Sequence, residues 1–266
     1  MYTVIGALTE RFHDLAILGI SAAAFGLFGL AISWLAHHVW FRFWPVRGAE
    51  DRKLADTVQT SLLGFSAFVL ALAVTSVLTN LSRVEEATLQ EASTLGDLDR
   101  ELQGLGEPAA AARRILADYV RDVSTDEWRL LAHGEPRLSP LAGRDLDRLW
   151  AEIRGLQRDE RLTPPQIRDT LDKYQMSIST LRTQRLAEAT KSIPSIFWVI
   201  ILVFVAGASF MNGRDTLHRF GLQVLVLHMA AIGLVVALIV IIDNPFRGST
   251  SVSPSIIAKA LDPRTT

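Results

Sequence analysis

The sequence predicts an all-α integral membrane protein with four transmembrane helices and a charged, helical insert between the second and the third. Four stretches contain no Asp, Glu, Lys or Arg and are long enough, or nearly so, to cross a bilayer: Leu15–Ala36, Thr57–Ser82, Ile193–Met211 and Phe220–Ile242. Crossing the hydrocarbon takes about 20 apolar helical residues, and backbone groups there must be hydrogen-bonded internally. Because the stretches lack the alternation of barrel strands, they are predicted to be helices.

These stretches divide the chain into a first helix pair (1–82), a soluble insert (83–191), a second helix pair (192–242) and a tail (243–266). The net charge of −1 gives no reason to expect binding to nucleic acid. The absence of cysteine excludes disulfides, thiol catalysis and cysteine metal sites. The first stretch is too long for the core of a signal peptide, so it is expected to be retained.

The first span has small residues at helical spacing along one face. They are Gly19, Ala22, Gly26, Gly29 and Ser33. Such a stripe allows close approach of another helix, which lies either in another subunit or in the same protomer. Three tryptophans and the pair His37-His38 follow it. They indicate an interfacial aromatic belt, and a metal site at the histidine pair is the minor alternative.

The second span carries a polar and small stripe along one helical face. Its members are Thr57, Ser61, Gly64, Phe68, Ala71, Thr75, Thr79 and Ser82. Such a stripe either faces water or packs against other helices. Phe68 is the one bulky member, and a ring of such residues around an axis could gate a pore by dewetting. In the alternative, the hydroxyls bond to their own helix and the small residues allow packing.

The third span begins with Ile193-Pro194, and proline is tolerated in the first turn of a helix. A short connection over 212–218 leads to the fourth span, which contains His228. An ionisable residue within the membrane is a functional candidate, although an interhelical hydrogen bond is the preferred role for a neutral histidine. Asp243 ends this span, and an ion pair with Arg182, Arg185, Arg83 or Lys191 is predicted.

The insert is predicted to be an antiparallel helical bundle. The second span should continue as one helix to about Leu102, with its polar stripe extended by Glu86, Ser93 and Arg100. Ser139 is expected to cap one later helix, and Thr163-Pro-Pro-Gln166 resembles a capping box for another. Apolar residues at spacings of three and four predict the inward faces. They are Leu95, Leu98, Leu102 and Leu105, then Ile115, Leu116, Tyr119, Val120 and Val123, then Leu146, Leu149, Trp150 and Ile153, and finally Ile167, Leu171, Tyr174, Ile178 and Leu181.

No motif indicates an enzyme or a cofactor. The sequence has no phosphate-binding loop, no HExxH and no dinucleotide fingerprint, and the Gly104–Gly106 pair lacks the strand that the fingerprint requires. Glu85 and Glu86 adjoin Arg83 on a charged stretch that is best interpreted as a solvated helix face. No metal, cofactor or catalytic residue is predicted.

Three segments carry a resemblance to a known family. They are GFSAFVLALAVTSVLTNLSRVEEATLQEASTLGDLDREL, LRTQRLAEATKSIPSIFW with its paired arginines, and IIDNPFRGSTSVSPSIIAKAL near the end of the chain. In their order and spacing, the whole chain resembles the bacterial bestrophin-like membrane family. Bestrophins themselves are homopentameric anion channels whose second membrane helix lines a pore narrowed by apolar side chains.

The resemblance implies a bestrophin-like architecture, self-association and a pore lined by the second helix. The partners that it implies are the lipid bilayer and small inorganic ions. The candidate pore-lining residues are Ser61, Gly64, Phe68, Ala71, Thr75, Thr79 and Arg100. It also favours the bacterial inner membrane, with the insert and both termini in the cytoplasm. No acidic cluster resembles the calcium clasp of bestrophins, so calcium gating is not expected.

Two functions follow from these features. One is an oligomeric ion channel, expected from the resemblance to conduct anions, in which the second span lines the pore and Phe68 constricts it. The other is a non-conducting membrane assembly or signalling scaffold whose insert binds a cytoplasmic partner, with the stripe packed against other helices.

Overall fold

The computed structural model describes residues 2–44, 46, 48–132, 136–214 and 219–261. Within these residues the chain is helical and no strand is found, which confirms the predicted all-α class. Nine α-helices lie in the described part of the chain. They are α1 (Tyr2–Leu35), α2 (Ala49–Gly104), α3 (Ala110–Asp122), α4 (Trp128–Leu131), α5 (Pro140–Leu156), α6 (Pro165–Ala189), α7 (Ser195–Asn212), α8 (Arg219–Ile242) and α9 (Ser255–Ala258).

Four of these helices are long and apolar enough to cross a membrane: α1 with its π-helical extension to Phe41, α2, α7 and α8. This confirms the four predicted spans. α2 is the longest, with 56 residues, and at 1.5 Å per residue it is about 84 Å long. It continues through Leu102 without a break, as predicted. Residues 215–218 of the predicted connection lie outside the described residues.

The chain divides into two compact units. The first consists of Met1–Thr79, Ser192–Asp243 and Gly248–Thr250. The second consists of Asn80–Lys191, Asn244–Arg247 and Ser251–Thr266.

In the first unit, α1 packs on α7 and α8 through small residues. Ser33 donates a hydrogen bond to the carbonyl oxygen of Ser209 at 2.6 Å, and Ser21 donates one to that of Gly233 at 2.8 Å. A Cβ at Gly29 would lie 2.5 Å from the side chain of Met229. The central part of the small-residue stripe is therefore a packing face within one protomer, while a Cβ placed on Gly19 would meet no described atom of another element within 4 Å.

In the second unit, the insert has its own apolar core. Most of the inward residues predicted from periodicity are buried in it, including Leu95, Leu98, Leu102, Leu116, Tyr119, Leu146, Leu149, Ile153, Leu171 and Ile178, whereas Leu105, Ile115, Ile167 and Tyr174 are partly buried and pack against it. Ser139 caps α5 by accepting hydrogen bonds from the backbone N–H groups of Leu141 (3.1 Å) and Ala142 (3.3 Å), as predicted.

The predicted capping box at Thr163 is wrong. The α-helix begins two residues later, at Pro165, and the Thr163 hydroxyl donates to the carbonyl oxygens of Leu156 (3.1 Å) and Asp159 (3.0 Å). A capping threonine at 163 would accept from the N–H of residue 165 or 166. Pro165 lacks that N–H, and the Thr163 hydroxyl binds the preceding turn instead.

Candidate functional site

The predicted stripe of the second span lies on an open face of α2. Ser61, Gly64, Ala71, Thr75 and Thr79 are all exposed in the protomer. Phe68 is 62 % exposed, and the position of a Cβ on Gly64 has no neighbouring atom within 4 Å. The opposite side of the helix, which includes Ser66, Leu70, Ala73 and Val77, is buried. Within the described residues, the stripe is therefore not a packing surface of the protomer.

The hydroxyl groups of this face bond to their own helix. Ser61 donates to the carbonyl oxygen of Thr57 at 2.9 Å, Thr75 to that of Ala71 at 2.9 Å, and Thr79 to that of Thr75 at 2.8 Å. Each O–H is thus satisfied without water, while the hydroxyl oxygens keep lone pairs that can accept further hydrogen bonds or contact a cation. Exposure of this polar face therefore leaves no hydroxyl hydrogen of Ser61, Thr75 or Thr79 without an acceptor.

The other membrane helices expose a different surface. Their exposed large side chains are aliphatic or aromatic: Leu15, Ile20 and Leu27 on α1, Ile196, Val199, Leu202 and Val203 on α7, and Phe220, Val224, Leu227, Leu234, Val235, Leu238 and Val240 on α8. Lipid chains solvate such surfaces well. Among the described membrane helices, exposed hydroxyl-bearing residues thus concentrate on α2, whereas exposed small residues also occur on α1, at Ala16, Gly19, Ala23, Ala24 and Ala31.

His228 lies on the exposed side of α8, next to Leu227. Among the described residues it makes no hydrogen bond within the protomer, so the preferred interhelical hydrogen bond is not found. The reason is geometric, because Leu225 and Met229 occupy the buried side of the same turn. In the aromatic belt, Nδ1 of His37 lies 2.9 Å from the carbonyl oxygen of Gly213, and Nδ1 of His38 lies 2.9 Å from that of Trp34.

Arg100 lies on the exposed side of the insert part of α2. Its guanidinium forms an ion pair with Asp97, three residues earlier, and both side chains remain accessible to water. The pair has no net charge. The exposure of Arg100 agrees with its predicted place on the polar face.

The predicted ion pair between Asp243 and Arg182 or Arg185 is wrong. Asp243 accepts a hydrogen bond from the backbone N–H of Ile193 at 3.2 Å, and the described residues include no ion pair of Asp243. Both arginines are buried and bind carboxylates of the insert. They face into the bundle because they share a helix side with Ile178 and Leu181.

These arginines belong to a buried charge network, which consists of Glu91, Glu127, Arg182 and Arg185. Arg182 donates to Glu127 at 2.5 Å, and Arg185 donates to Glu91 at 2.7 Å and also to Glu127. The two positive and two negative charges balance. Because each charge is removed from water, each depends on its partners for stabilisation.

Polar groups around the network complete its hydrogen bonding. Tyr119 donates to Glu91 at 3.3 Å, the backbone N–H of Ser139 donates to Glu127 at 2.9 Å, and Arg182 donates to the carbonyl oxygen of Ser139 at 3.0 Å. Burial raises the pKa of Glu91, although Arg185 opposes the shift. Burial also raises the pKa of Tyr119 well above its usual value, so this hydroxyl remains a donor.

Sequence reasoning missed Glu91 and Glu127. Glu127 ends a π-helical turn over Val123–Glu127, and Trp128 follows it. The Arg185 guanidinium lies 5.3 Å from the centre of the Trp128 ring, and the Trp128 indole N–H donates to the carbonyl oxygen of Val252 at 3.0 Å. The available signal was the spacing of Arg182 and Arg185, which places them on the apolar side of α6.

No group of three or more His, Cys, Asp or Glu residues that could hold a metal is found in the part of the chain that the structure describes. The described residues therefore point to no metal centre. What the structure presents instead is an open polar face on a membrane helix and a paired charge network in the insert.

Comparison with characterised proteins and with solved structures finds no match. Comparison with protein families matches the Bestrophin-like domain over residues 23–257. The match includes the four spans from Ala23 onward, the insert and the first part of the tail. The chain therefore belongs to the Bestrophin-like family.

Proposed function

We propose that the protein is an oligomeric ion channel in which α2 lines the pore. The observation that carries this proposal is the open face of α2, where hydroxyls and small residues are exposed at membrane depth in a single protomer. A pore-lining surface must tolerate water and ions, whereas a lipid-facing surface need not. Membership of the Bestrophin-like family supports the same function.

Several copies of α2 around one axis would enclose this face. Phe68 would form the narrowest ring, because Gly64 and Ala71, about one turn before and after it, are small. A ring of apolar side chains can block ions by excluding water while the backbone stays in place. Thr75, Thr79 and Ser82 would then line a wider, wetted segment on the insert side of the ring.

The oligomer is proposed to be a ring, with five subunits as in bestrophins. It would reside in a bacterial inner membrane with the insert and both termini in the cytoplasm. In this arrangement Arg100 and its partner Asp97 lie on the part of α2 that extends into water. The resemblance predicts that the pore conducts anions, and the selectivity of the pore for anions or cations would be set by the charged side chains along α2.

The test is current through purified protein in planar bilayers, comparing wild type with Phe68→Ala and Phe220→Ala. Phe220 is 69 % exposed on α8, so its replacement removes the same side chain from a surface that is proposed to face lipid. We expect a measurable conductance in wild type, a larger or more persistently open conductance in Phe68→Ala, and no change in Phe220→Ala. Silence of both wild type and Phe68→Ala would exclude the channel.

A second candidate is a non-conducting assembly, and the local hydrogen bonds of Ser61, Thr75 and Thr79 favour it. With their donors satisfied, these residues can also pack against a helix of another copy. Site-directed labelling separates the two candidates, because the chain has no native cysteine. Single cysteines at 64, 71 and 75 should react with a water-soluble thiol reagent in a channel and remain protected in a packed assembly.

A further inference from the structure

The second half of α6 exposes a surface without charge. Between Lys173 and Lys191, the charged residues of the chain are Arg182, Arg185 and Glu188, and all three are buried. The exposed residues of α6 in this stretch form what is called the α6 patch: Met176, Ser179, Thr180, Thr183, Gln184 and Ala187. They recur at spacings of three and four, so they share one side of the helix.

This composition is unusual for the insert and typical of a protein contact. The surface of α5, for comparison, exposes Arg144, Asp147, Arg148 and Arg154. The centre of a protein–protein interface is depleted of charge and enriched in methionine. Met176 is 74 % exposed, so most of this apolar side chain is left uncovered in the protomer.

A groove between α2 and the tail, in the same compact unit, is open to solvent. It has a volume of about 410 Å³. Most of its lining is uncharged: Leu89, Ala92, Ser93 and Gly96 on α2, and Ile256 and Ala260 in the tail. Its walls are held together, because Ile257 is buried in the insert core and a Cβ at Gly96 would lie 2.9 Å from the carbonyl oxygen of Ala260. Such a groove can accept an apolar side chain.

The α6 patch and the groove lie at the same level along α2. Burial and the nearby carboxylates of Asp97 and Glu101 raise the pKa of Tyr174, which places Tyr174 beside that part of α2. Met176 follows two residues later, about 3 Å along the helix, so it lies close to the level of Gly96. Copies related by rotation about the membrane normal keep each residue at one height. In a ring, Met176 of one copy is therefore level with the groove of the next.

The charges beside the two surfaces are complementary. Those exposed on α6 in the two turns before Met176 are Asp169, Asp172 and Lys173, so two carboxylates and one ammonium give a formal charge of −1. Those at the groove are Arg100, its ion-pair partner Asp97, and Lys259, so two cations and one carboxylate give a formal charge of +1. Opposite charges at one end of a contact fix its register.

We propose that the α6 patch of one copy packs into the α2–tail groove of the next copy, with Met176 inserted into the groove. The inference rests on the proposed ring assembly and names the surfaces that join its inserts. Both surfaces are open in one protomer, and a second copy covers both at once. A contact between two different surfaces is heterologous, and such contacts close into a ring when the rotation between copies permits it.

Disulfide cross-linking tests the contact, because the chain has no native cysteine. Two differently tagged full-length copies, one with Met176→Cys and one with Ser93→Cys, are expressed together and oxidised in the membrane. Ser93 is exposed on α2 and lines the groove. We expect a covalent dimer that carries both tags, and no dimer from either copy expressed alone. A chain with both substitutions should form a ladder of bands whose highest member counts the subunits.

The matched control replaces Met176→Cys by Leu141→Cys. Leu141 is a 44 % exposed apolar residue of α5, outside the α6 patch. Its cysteine variant should give severalfold less dimer with Ser93→Cys. A cross-link at Leu141 as strong as that at Met176, or a disulfide that forms only within one chain, would overturn the proposed contact.

A second pair of variants measures the assembly without cross-linking. Met176→Glu would insert a carboxylate into the largely uncharged groove, so the detergent-purified protein should elute as smaller species. Leu141→Glu adds the same charge elsewhere and should keep the wild-type elution. Unfolding midpoints close to wild type would show that both variants are folded. Unchanged assembly of folded Met176→Glu would count against the contact.

These outcomes separate the contact from the proposed channel. Cross-linked rings that carry no current in planar bilayers would support the contact and overturn conduction. A current from wild-type protein, together with no cross-link between positions 176 and 93, would overturn the contact and leave the channel intact.

Discussion

The polar groups on the open face of α2 and those in the buried charge network differ in their exposure and in the partners to which they bond. On the face, hydroxyls such as those of Thr75 and Thr79 bond to their own helix and stay exposed. In the network, Arg185 and its carboxylate partners have no exposed side-chain surface and bind residues from other helices. A local hydrogen bond leaves a surface free to meet water, ions or another chain, whereas a long-range buried pair fixes the packing of a bundle.

Because of this difference, the open α2 face and the buried charge network should affect different properties of the protein, conduction in one case and stability in the other. Changes on the face should alter conduction and leave folding nearly intact. Changes in the network should alter folding first, because a charge left without its partner in the core cannot reach water. Stability measurements can therefore test the comparison before any electrical recording.

The largest effect is expected from Arg185→Met. This replacement keeps the approximate length of the side chain and leaves Glu91 and Glu127 buried with one positive charge fewer. Breaking a buried ion network in this way typically costs about 3–5 kcal/mol, so the thermal unfolding midpoint in detergent should fall by many degrees or the protein should not accumulate.

The matched control for this prediction is Arg148→Met. Arg148 is 72 % exposed and lies 3.6 Å from Asp145, and an exposed pair of this kind contributes about 0–1 kcal/mol. If Arg148→Met and Arg185→Met lowered the unfolding midpoint equally, the buried network would not have the structural role inferred for it.

An intermediate effect is expected from Gly233→Ala, with Gly64→Ala as its counterpart on the open face. A Cβ at Gly233 would lie 2.6 Å from the carbonyl oxygen of Ser21, so α1 and α8 would have to separate. Overpacking of this kind costs about 1–3 kcal/mol. At Gly64 no atom lies within 4 Å of the added methyl group, so stability should be unchanged or slightly higher.

Unfolding midpoints in detergent measure this difference, and conductance adds a second readout. Gly64→Ala should fold normally and reduce conductance, because the methyl group would narrow the proposed pore beside Phe68. A loss of stability at Gly64 comparable to that at Gly233 would show that the face is packed in the assembled protein, which would favour the non-conducting alternative.

Much of the fold could be predicted from the sequence because hydrophobicity and periodicity act locally. The absence of charge defined the four spans, and the spacing of Leu95, Leu98 and Leu102 indicated the core side of α2 in the insert. The polar stripe of the second span was also visible. The sequence does not tell which helices cover the stripe. The structure shows that no described part of the protomer covers it.

The buried network could not be predicted because its partners are distant in sequence. Glu91 lies 94 residues from Arg185 along the chain, and Glu127 lies 58 residues from it. An isolated carboxylate in a charged helix is usually solvated, so nothing local marks these two as buried. The same limit explains Asp243, for which cations predicted on the same side of the membrane suggested an ion pair that is not found among the described residues.

The smallest effect is expected from Asp243→Asn. The Asp243 carboxylate accepts a hydrogen bond from the backbone N–H of Ile193 at 3.2 Å, and an asparagine carbonyl oxygen can accept the same bond. The unfolding midpoint and the yield should therefore stay close to wild type, whereas Asp243→Leu, which has no acceptor, should cost about 1–3 kcal/mol by leaving that N–H unpaired. A large loss in Asp243→Asn would mean that the charge itself is required, and would restore the ion pair that the sequence suggested. Near-equality of Asp243→Asn with wild type, together with a clear loss in Asp243→Leu, would show that Asp243 acts as a hydrogen-bond acceptor for the distant Ile193 N–H and that, unlike the carboxylates of the buried network, its charge is not required.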